Sequence, residues 1–327
     1  MYTFEIPFIV WLQNIGNWLK EPMLFLSFLG TQNAYFLLMS WLYWCLDCQL
    51  GIQVGIGLLL SNGITTGLKW IFKTPRPYWE SLQVFAFSAE SSFGLPSGHA
   101  LISTSVWGRF AAGMKKKLLT IVVCILVFGI GLSRVYLGVH FPSDVIAGWG
   151  IGLMLLILLM KFENSINHWL TNNNVPRKIL LAFLSSILII VIFLILNNQF
   201  TDWQLPAQWI NNAEIAAPFS EIDPVKLKDI FILSGSWFGM LAGWIWLQKS
   251  GGMLSQGEFW QLLLRFLIGM SGIVTLVYGM NSILPEIHSN LSYLITYIQY
   301  FLVSLWISLA APLLFIKIGV SEKRSNT

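Results

Sequence analysis

The sequence predicts an all-α, polytopic membrane helical bundle, and three observations lead there. The 327 residues are 56% hydrophobic and only 10% charged, whereas a soluble domain carries about 25% charged residues. Mean hydropathy is +0.69, and several apolar runs exceed the roughly 18 to 20 residues needed to cross a hydrocarbon core. Sixteen Trp agree, because Trp favours the headgroup level at both faces of a bilayer. The lipid bilayer is therefore a partner of the whole chain. Net charge is only +4, and no basic face with interleaved aromatics is present. That excludes nucleic-acid binding as a function class.

Along the chain, residues 4–20 set Phe8, Ile9, Trp11, Leu12, Ile15, Trp18 and Leu19 against Gln13, Asn14, Asn17 and Lys20 at helical spacing. This predicts an amphipathic helix lying in the membrane interface. No basic region precedes it, which predicts no cleavable signal peptide. Nine spans follow, at about 23–46, 50–71, 98–113, 118–137, 141–161, 178–197, 229–248, 261–281 and 291–317. The third is short, and its Ser103, Thr104, Ser105 and Arg109 predict that it faces other helices or an interface rather than lipid. Residues 72–97 are punctuated by Pro, Ser and Gly and form a loop. Residues 198–228 carry Pro206, Pro218 and Pro224 with Asp202, Glu214, Glu221 and Asp223, which predicts an aqueous loop. The Asn172-Asn173-Asn174 run marks a seam between a first module, 1–175, and an extension of four spans, 176–327.

The loops give an orientation. If spans alternate, one face receives Lys115-Lys116-Lys117, Lys161, Arg177, Lys178, Lys249, Lys317, Lys323 and Arg324. Lys and Arg concentrate in cytoplasmic loops, so that face and the C-terminus are expected in the cytoplasm. The other, non-cytoplasmic face receives 72–97, 198–228 and 282–290. Three groups of polar residues map to it as well.

The first group is Lys69 with Arg76-Pro77. Taken alone, Lys69 could snorkel to the interface and Arg76 could be an ordinary anchor. Together they place two cations one loop apart, beside a turn stiffened by Pro75 and Pro77, which suits phosphoryl oxygens. The second is Pro96-Ser97-Gly98-His99, which reads as a helix start. Unpaired N–H groups there make an anion site, and Gly98 allows close approach to the main chain. The plainer reading is an N-cap Ser97 beside an incidental His. The third is Ser133-Arg134 with His140 and Asp144. A carboxylate four residues after His140 can accept the proton of one ring nitrogen and leave the other as a nucleophile. The plainer reading is a polar helix start capped by Ser143 or Asp144. Three cations, two imidazoles and one carboxylate on one face form an inventory for gripping and cleaving a phosphate ester.

The spacing Lys69-x6-Arg76-Pro77, Pro96-Ser97-Gly98-His99, Ser133-Arg134-x5-His140-x3-Asp144 resembles the three-part signature of the type 2 phosphatidic acid phosphatases. That superfamily, PAP2, includes glucose-6-phosphatase, sphingosine-phosphate phosphatases and vanadium haloperoxidases. The likeness covers roughly residues 20–165 and departs at none of the motif positions. It implies a PAP2-type core followed by a C-terminal transmembrane extension, in a nine-span layout similar to glucose-6-phosphatase. It further implies that His140 attacks phosphorus to form a phosphohistidine, with Asp144 orienting it. His99 would protonate the leaving alkoxide and later activate water. Lys69, Arg76, Ser97, the Gly98 amide and Arg134 would hold the phosphoryl oxygens. Three cations can neutralise the transferring group as a divalent metal does elsewhere. No carboxylate cluster has metal-ligand spacing, so a metal-independent enzyme with no cofactor is expected.

The leading expectation is a phosphatase for a lipid phosphate or diphosphate: phosphatidate, phosphatidylglycerol phosphate, a prenyl diphosphate or a sphingoid phosphate. A phosphatase for a soluble phosphomonoester such as a sugar phosphate is the enzymatic alternative. A transporter is the non-enzymatic one, and it predicts mid-span charges and paired repeats, where this chain has span-end charges and no repeat. Elsewhere, Cys45 and Cys48 are expected as apolar fillers at a helix end and Cys124 as a structural residue. His168 and His288 are expected as solvated loop residues. Arg265 is expected to snorkel in a structural role and Lys115-Lys116-Lys117 to set topology, while Trp203 and Trp209 either cover the mouth of the site or, the favoured reading, rest on the bilayer.

Overall fold

The computed structural model describes residues 4–218, 220–283 and 290–324; His288 lies outside them. Among these residues every regular element is helical. The helices are α1 Glu5–Gln13, α2 Lys20–Phe28, α3 Gln32–Trp41, α4 Cys48–Phe72, α5 Pro77–Glu80, α6 Gly98–Met114, α7 Lys117–Tyr136, α8 Pro142–Asn172, α9 Val175–Asn198, α10 Ala207–Ala216, α11 Leu227–Lys249, α12 Phe259–Ile283, α13 Asn290–Leu305 and α14 Ala311–Lys317.

Among the described residues, seven helices are long and apolar enough to cross a membrane, and the chain is a multi-span integral membrane protein. Over the span expected at 23–46 lie two helices, Asn17–Phe28 and Gln32–Leu46, bent by 49° at a short break, and taken together they make an eighth candidate span. Thr31 supplies the break. Its hydroxyl donates to Phe28 O at 2.8 Å and accepts from the Ala34 N–H at 3.4 Å, capping both helix ends. The expected third span is α6, of 17 residues. Helix α8 continues to Asn172 rather than stopping near 161, so His168 sits exposed on a helix rather than in a loop.

The residues fall into two compact units. The first comprises Met1–Tyr35, Leu60–Met160 and Leu194–Lys226; the second comprises Phe36–Leu59, Lys161–Phe193 and Leu227–Thr327.

In the first unit, α7 exposes Leu118, Ile121, Val122, Ile125 and Phe128, the outward apolar face that lipid demands, and buries its C-terminal Ser133 and Arg134. Helix α6 buries Ala100, Leu101, Ile102, Ser103, Ser105, Val106 and Arg109. As the sequence predicts, its polar residues face protein. Ser103 and Thr104 return hydrogen bonds to Ala100 O, and Ser105 Oγ lies 2.6 Å from Ser61 Oγ. Small residues let α6 and α8 approach closely. A Cβ at Gly148 would lie 2.7 Å from Ser97 O and 2.9 Å from Ala100 Cβ. Gly148→Ala should therefore lower thermal stability in detergent by about 1–3 kcal/mol, the usual cost of overpacking, and displace the start of α6. An unchanged unfolding temperature would show that the two helices part freely.

The interfacial helix expected over 4–20 ends at Gln13. Gln13 is buried rather than on a wet face: its amide donates to Phe85 O at 2.8 Å and Tyr136 O at 2.9 Å and accepts the Phe85 N–H at 3.0 Å. Those three bonds outweigh hydration and tie α1 to the loop that follows α5.

In the second unit, Arg265 does not snorkel. It is 1% exposed and donates to the carbonyls of Val320 (2.7 Å), Ser255 (2.7 Å), Trp44 (3.2 Å) and Gln256 (3.2 Å). A guanidinium has five N–H donors, so one side chain can knot three stretches of main chain. Cys45 and Cys48 are free thiols bonded to Leu262 O and Tyr43 O, while Cys124 is exposed on α7 rather than packed.

Candidate active site

Loop 73–97 of the first unit is folded back on itself by short side chains. The Gly94 N–H donates to Thr74 O at 3.0 Å, and the Leu95 N–H to Thr74 Oγ1 at 2.8 Å. The Tyr78 hydroxyl donates to Glu90 O at 3.0 Å and accepts the Glu90 N–H at 3.1 Å. These ties bring residues 90–95 across the start of α5.

Arg76, at the N-cap of α5, reaches into that fold. Its Nε donates to Ser92 O at 2.6 Å, and its Nη2 to Ser92 Oγ at 3.1 Å and Phe93 O at 3.2 Å. Its Nη1 donates to Val139 O at 2.7 Å and lies 3.2 Å from His140 Nε2. Lys69, in the last turn of α4, donates to the same Ser92 Oγ at 2.9 Å. The two cations that the sequence places one loop apart thus share one acceptor.

Arg134 and His140 are joined by a turn. Gly138 has φ of +76°, a left-handed value natural to glycine, and it lets the chain reverse after α7. The N–H groups of Val139 and His140 both return to Arg134 O, at 3.2 and 3.3 Å. His140 lies in this turn, just before α8, rather than in a helical one. Asp144 still reaches it: Oδ2 is 3.2 Å from His140 Nδ1 and accepts the Phe141 N–H at 3.0 Å. The contacts on the two ring nitrogens assign one tautomer. A guanidinium can only donate, so Nε2 faces Arg76 with its lone pair and Nδ1 carries the proton toward Asp144. Burial, then the charges of Arg76, Lys69, Arg134 and His99, hold the His140 pKa well below its ordinary 6.5. The imidazole is neutral at neutral pH.

Ser97 caps α6, its Oγ accepting the Ala100 N–H at 3.5 Å, and its own N–H donates to Asp144 O at 3.0 Å. The capping reading of Ser97 is therefore realised, and the same residue links the Ser-Gly-His turn to Asp144. Gly98 follows at the first position of α6, and a Cβ on it would meet only Thr65 Cγ2 at 3.2 Å. His99 comes next. Its ring lies against Gly30, where a Cβ would be 2.8 Å from Cδ2, and among the described residues its buried Nε2 meets no hydrogen-bond partner. Lys69, Arg76, Ser97, Arg134, His140 and Asp144 are all under 10% exposed. The eight residues singled out from sequence all belong to one unit; Ser92 joins Lys69 to Arg76, Asp144 joins Ser97 to His140, and the Arg134 carbonyl takes the His140 N–H.

Sequence reasoning missed four residues. Glu90 pairs with Arg134, whose other terminal nitrogen donates to Ser27 Oγ; Ser92 and Thr74 organise the loop. Burial raises the Glu90 pKa, but Arg134, Arg76, His99 and Lys69 together bring it down to about 2, so it is charged at neutral pH. One signal was available: Glu80 and Glu90 are the only carboxylates between 72 and 97.

Trp203 and Trp209 both pack against aromatic rings of residues 73–97. Residues 194–226 belong to the same unit as the site. Trp203 packs edge-on against Phe93 with ring centroids 5.5 Å apart, and Trp209 lies 6.2 Å from Trp79 and donates to Glu80 at 3.2 Å. The segment expected as an aqueous loop thus also sets an aromatic ring against Phe93, the residue whose carbonyl Arg76 grips.

Residues 50–167 match the PAP2 superfamily, and residues 231–323 match the PAP2 superfamily phosphatase transmembrane extension. Phosphatidylglycerophosphatase B of Bacillus subtilis is 36% identical over 172 residues, 46% of this chain and 79% of that protein. Bovine glucose-6-phosphatase 3 is 27% identical over 196 residues, 53% of each, so the chain spans about half the length of that relative. The crystal structure of the PAP2-type phosphatidylglycerolphosphate phosphatase of Bacillus subtilis is similar at a TM-score of 0.40 and 25% identity, over 48% of this chain and 85% of that one.

Proposed function

Because this chain belongs to the PAP2 superfamily, we propose that it is an integral-membrane phosphatase acting on a lipid phosphate or diphosphate. The observation that carries the reading is His140, whose Nδ1 meets Asp144 and whose Nε2 meets a phosphate-binding type of side chain, Arg76, at 3.2 Å each. In this reading a phosphoryl group enters beside Arg76, with Lys69, Arg134, Ser97 and the Gly98 amide around its oxygens. The Nε2 lone pair forms the N–P bond as the ester P–O bond breaks, and the leaving oxygen takes its proton from His99. Water then gives a proton back to His99, adds its oxygen to phosphorus and breaks the N–P bond, releasing phosphate. The Nδ1 proton stays with His140, where Asp144 stabilises the charge that develops on the ring.

Lipid substrates are favoured by where these residues come from. Lys69 and Arg134 sit in last turns, and Gly98 and Asp144 in first turns, of membrane helices. A headgroup can enter there while its acyl or prenyl chain stays in the bilayer. The Lys and Arg distribution favours a site on the non-cytoplasmic face. The similarity to glucose-6-phosphatase 3 favours a second reading, a soluble sugar phosphate.

The test is phosphate release by purified protein in detergent, with and without EDTA. The substrates are phosphatidate, phosphatidylglycerol phosphate, undecaprenyl diphosphate, a sphingoid phosphate and glucose 6-phosphate. Turnover of at least one lipid, insensitive to EDTA, is expected, since the cations do the work of a metal. Release from glucose 6-phosphate alone would select the second reading, and no release from any would overturn both.

A further inference from the structure

We propose that Glu90 is a further residue of this site, an internal competitor that occupies Arg134 until a phosphate monoester displaces it. The proposal rests on the phosphatase reading, since it takes Arg134 as a ligand of the phosphoryl oxygens.

Three observations carry it. Glu90 holds the Nη2 end of Arg134, and its side chain is 30% exposed where that of Arg134 is 2% exposed. The acid can leave toward water; the base cannot. Second, Glu90 heads a four-residue stretch that serves all three cations. Ser92 Oγ accepts from Lys69 and Arg76, and the Ser92 and Phe93 carbonyls accept from Arg76. Donors of Lys69, Arg76 and Arg134 thus all end on this one stretch. Third, the stretch is held from both sides apart from the cations: Tyr78 clamps the Glu90 main chain, and Lys226 donates to Ser91 Oγ at 3.3 Å. The Glu90 side chain can therefore swing while its backbone stays.

The consequence is selectivity. A carboxylate offers a guanidinium two oxygens and one negative charge, as the phosphate of a diester lipid does. Exchanging Glu90 for a diester gains nothing at Arg134. A monoester dianion brings a third terminal oxygen and a second charge, and displaces it. Glu90 thus discriminates phosphate monoesters from the diester phospholipids of the surrounding bilayer. It also returns to Arg134 after turnover and helps expel inorganic phosphate. Only the fraction of sites with Arg134 free binds, so apparent affinity is lowered by that fraction.

The experiment measures competitive inhibition of hydrolysis by inorganic phosphate, and by phosphatidylglycerol in mixed micelles, for wild type, Glu90→Gln and Glu90→Ala. Unfolding temperatures are recorded alongside. Both variants should show a phosphate Ki lowered about tenfold, roughly the effect of 1.4 kcal/mol, and should acquire inhibition by phosphatidylglycerol. A purely structural ion pair predicts the opposite direction, a raised Ki. Unchanged or raised Ki in folded variants, or failure of both to fold, would overturn the proposal while leaving the phosphatase reading intact. A wild-type protein that hydrolyses no phosphate ester would instead overturn that reading.

Discussion

Replacing His140 with Asn should abolish phosphate release while leaving the protein folded and in the membrane. Removal of a nucleophile in other hydrolases costs on the order of 10⁶ in kcat, and a loss of several orders of magnitude is expected here. Asn is chosen because its amide can still face Asp144, which would otherwise be left buried beside a cavity. The accompanying observable is the intermediate. Wild-type protein quenched during turnover of a phosphate-labelled substrate should retain acid-labile, alkali-stable label, and the variant should retain none. The acid side of the wild-type kcat/KM profile tests the same residue. Kcat/KM reports groups of the free enzyme, and only neutral His140 has a lone pair to attack with. Its pKa lies well below 6.5, so activity should persist through pH 6.5 and fall only at lower pH, as the ring protonates. Near-normal turnover by the Asn variant would remove His140 from the chemistry.

The residues of this candidate site stand out in the sequence because they are rare. In a chain with 19 Lys and Arg and 15 Asp and Glu, a Lys, two Arg, two His and an Asp at helix ends have few structural explanations. Their spacing did the rest: the i,i+4 separation of His140 and Asp144 survives although His140 stands outside the helix. Glu90 and Ser92 were illegible for the converse reason. A lone Glu and a Ser in a Ser-rich loop have no periodicity, and their partners Arg134 and Lys69 lie 44 and 23 residues away. The fold shows the same division. Hydropathy finds long apolar helices because every backbone group in lipid must be paired within the helix. It does not register Thr31, whose caps bend a continuous apolar run, nor Gln13, which looks wet until Phe85 and Tyr136 supply its bonds. Trp203 and Trp209 suit both a headgroup belt and an aromatic cluster. Their contacts with Phe93 and Trp79 join residues far apart in sequence, where no local pattern registers them.

The second large effect concerns Arg76, and the informative substitution is the conservative one. Lys keeps the positive charge but offers a single ammonium in place of a planar fork. In the native site that fork binds Ser92 O, Ser92 Oγ, Phe93 O and Val139 O while one nitrogen faces His140 Nε2. An ammonium with three protons cannot span those positions, so buried carbonyls at Phe93 and Val139 lose their donors, at about 1–3 kcal/mol each. Arg76→Lys should therefore lower the unfolding temperature and reduce kcat by a factor on the order of 10²–10³, as loss of one oxyanion donor does elsewhere. Arg76→Ala should reduce it further and also move the acid limb of kcat/KM upward, toward pH 6.5. The sign follows from the charge: Arg76 helps hold the His140 pKa down, and removing it makes protonation easier. If Lys restores kcat, the site needs only charge at this position. If Lys restores the pH limb but not kcat, as the geometry requires, then Arg76 acts on His140 through its charge and on the phosphoryl group through its shape.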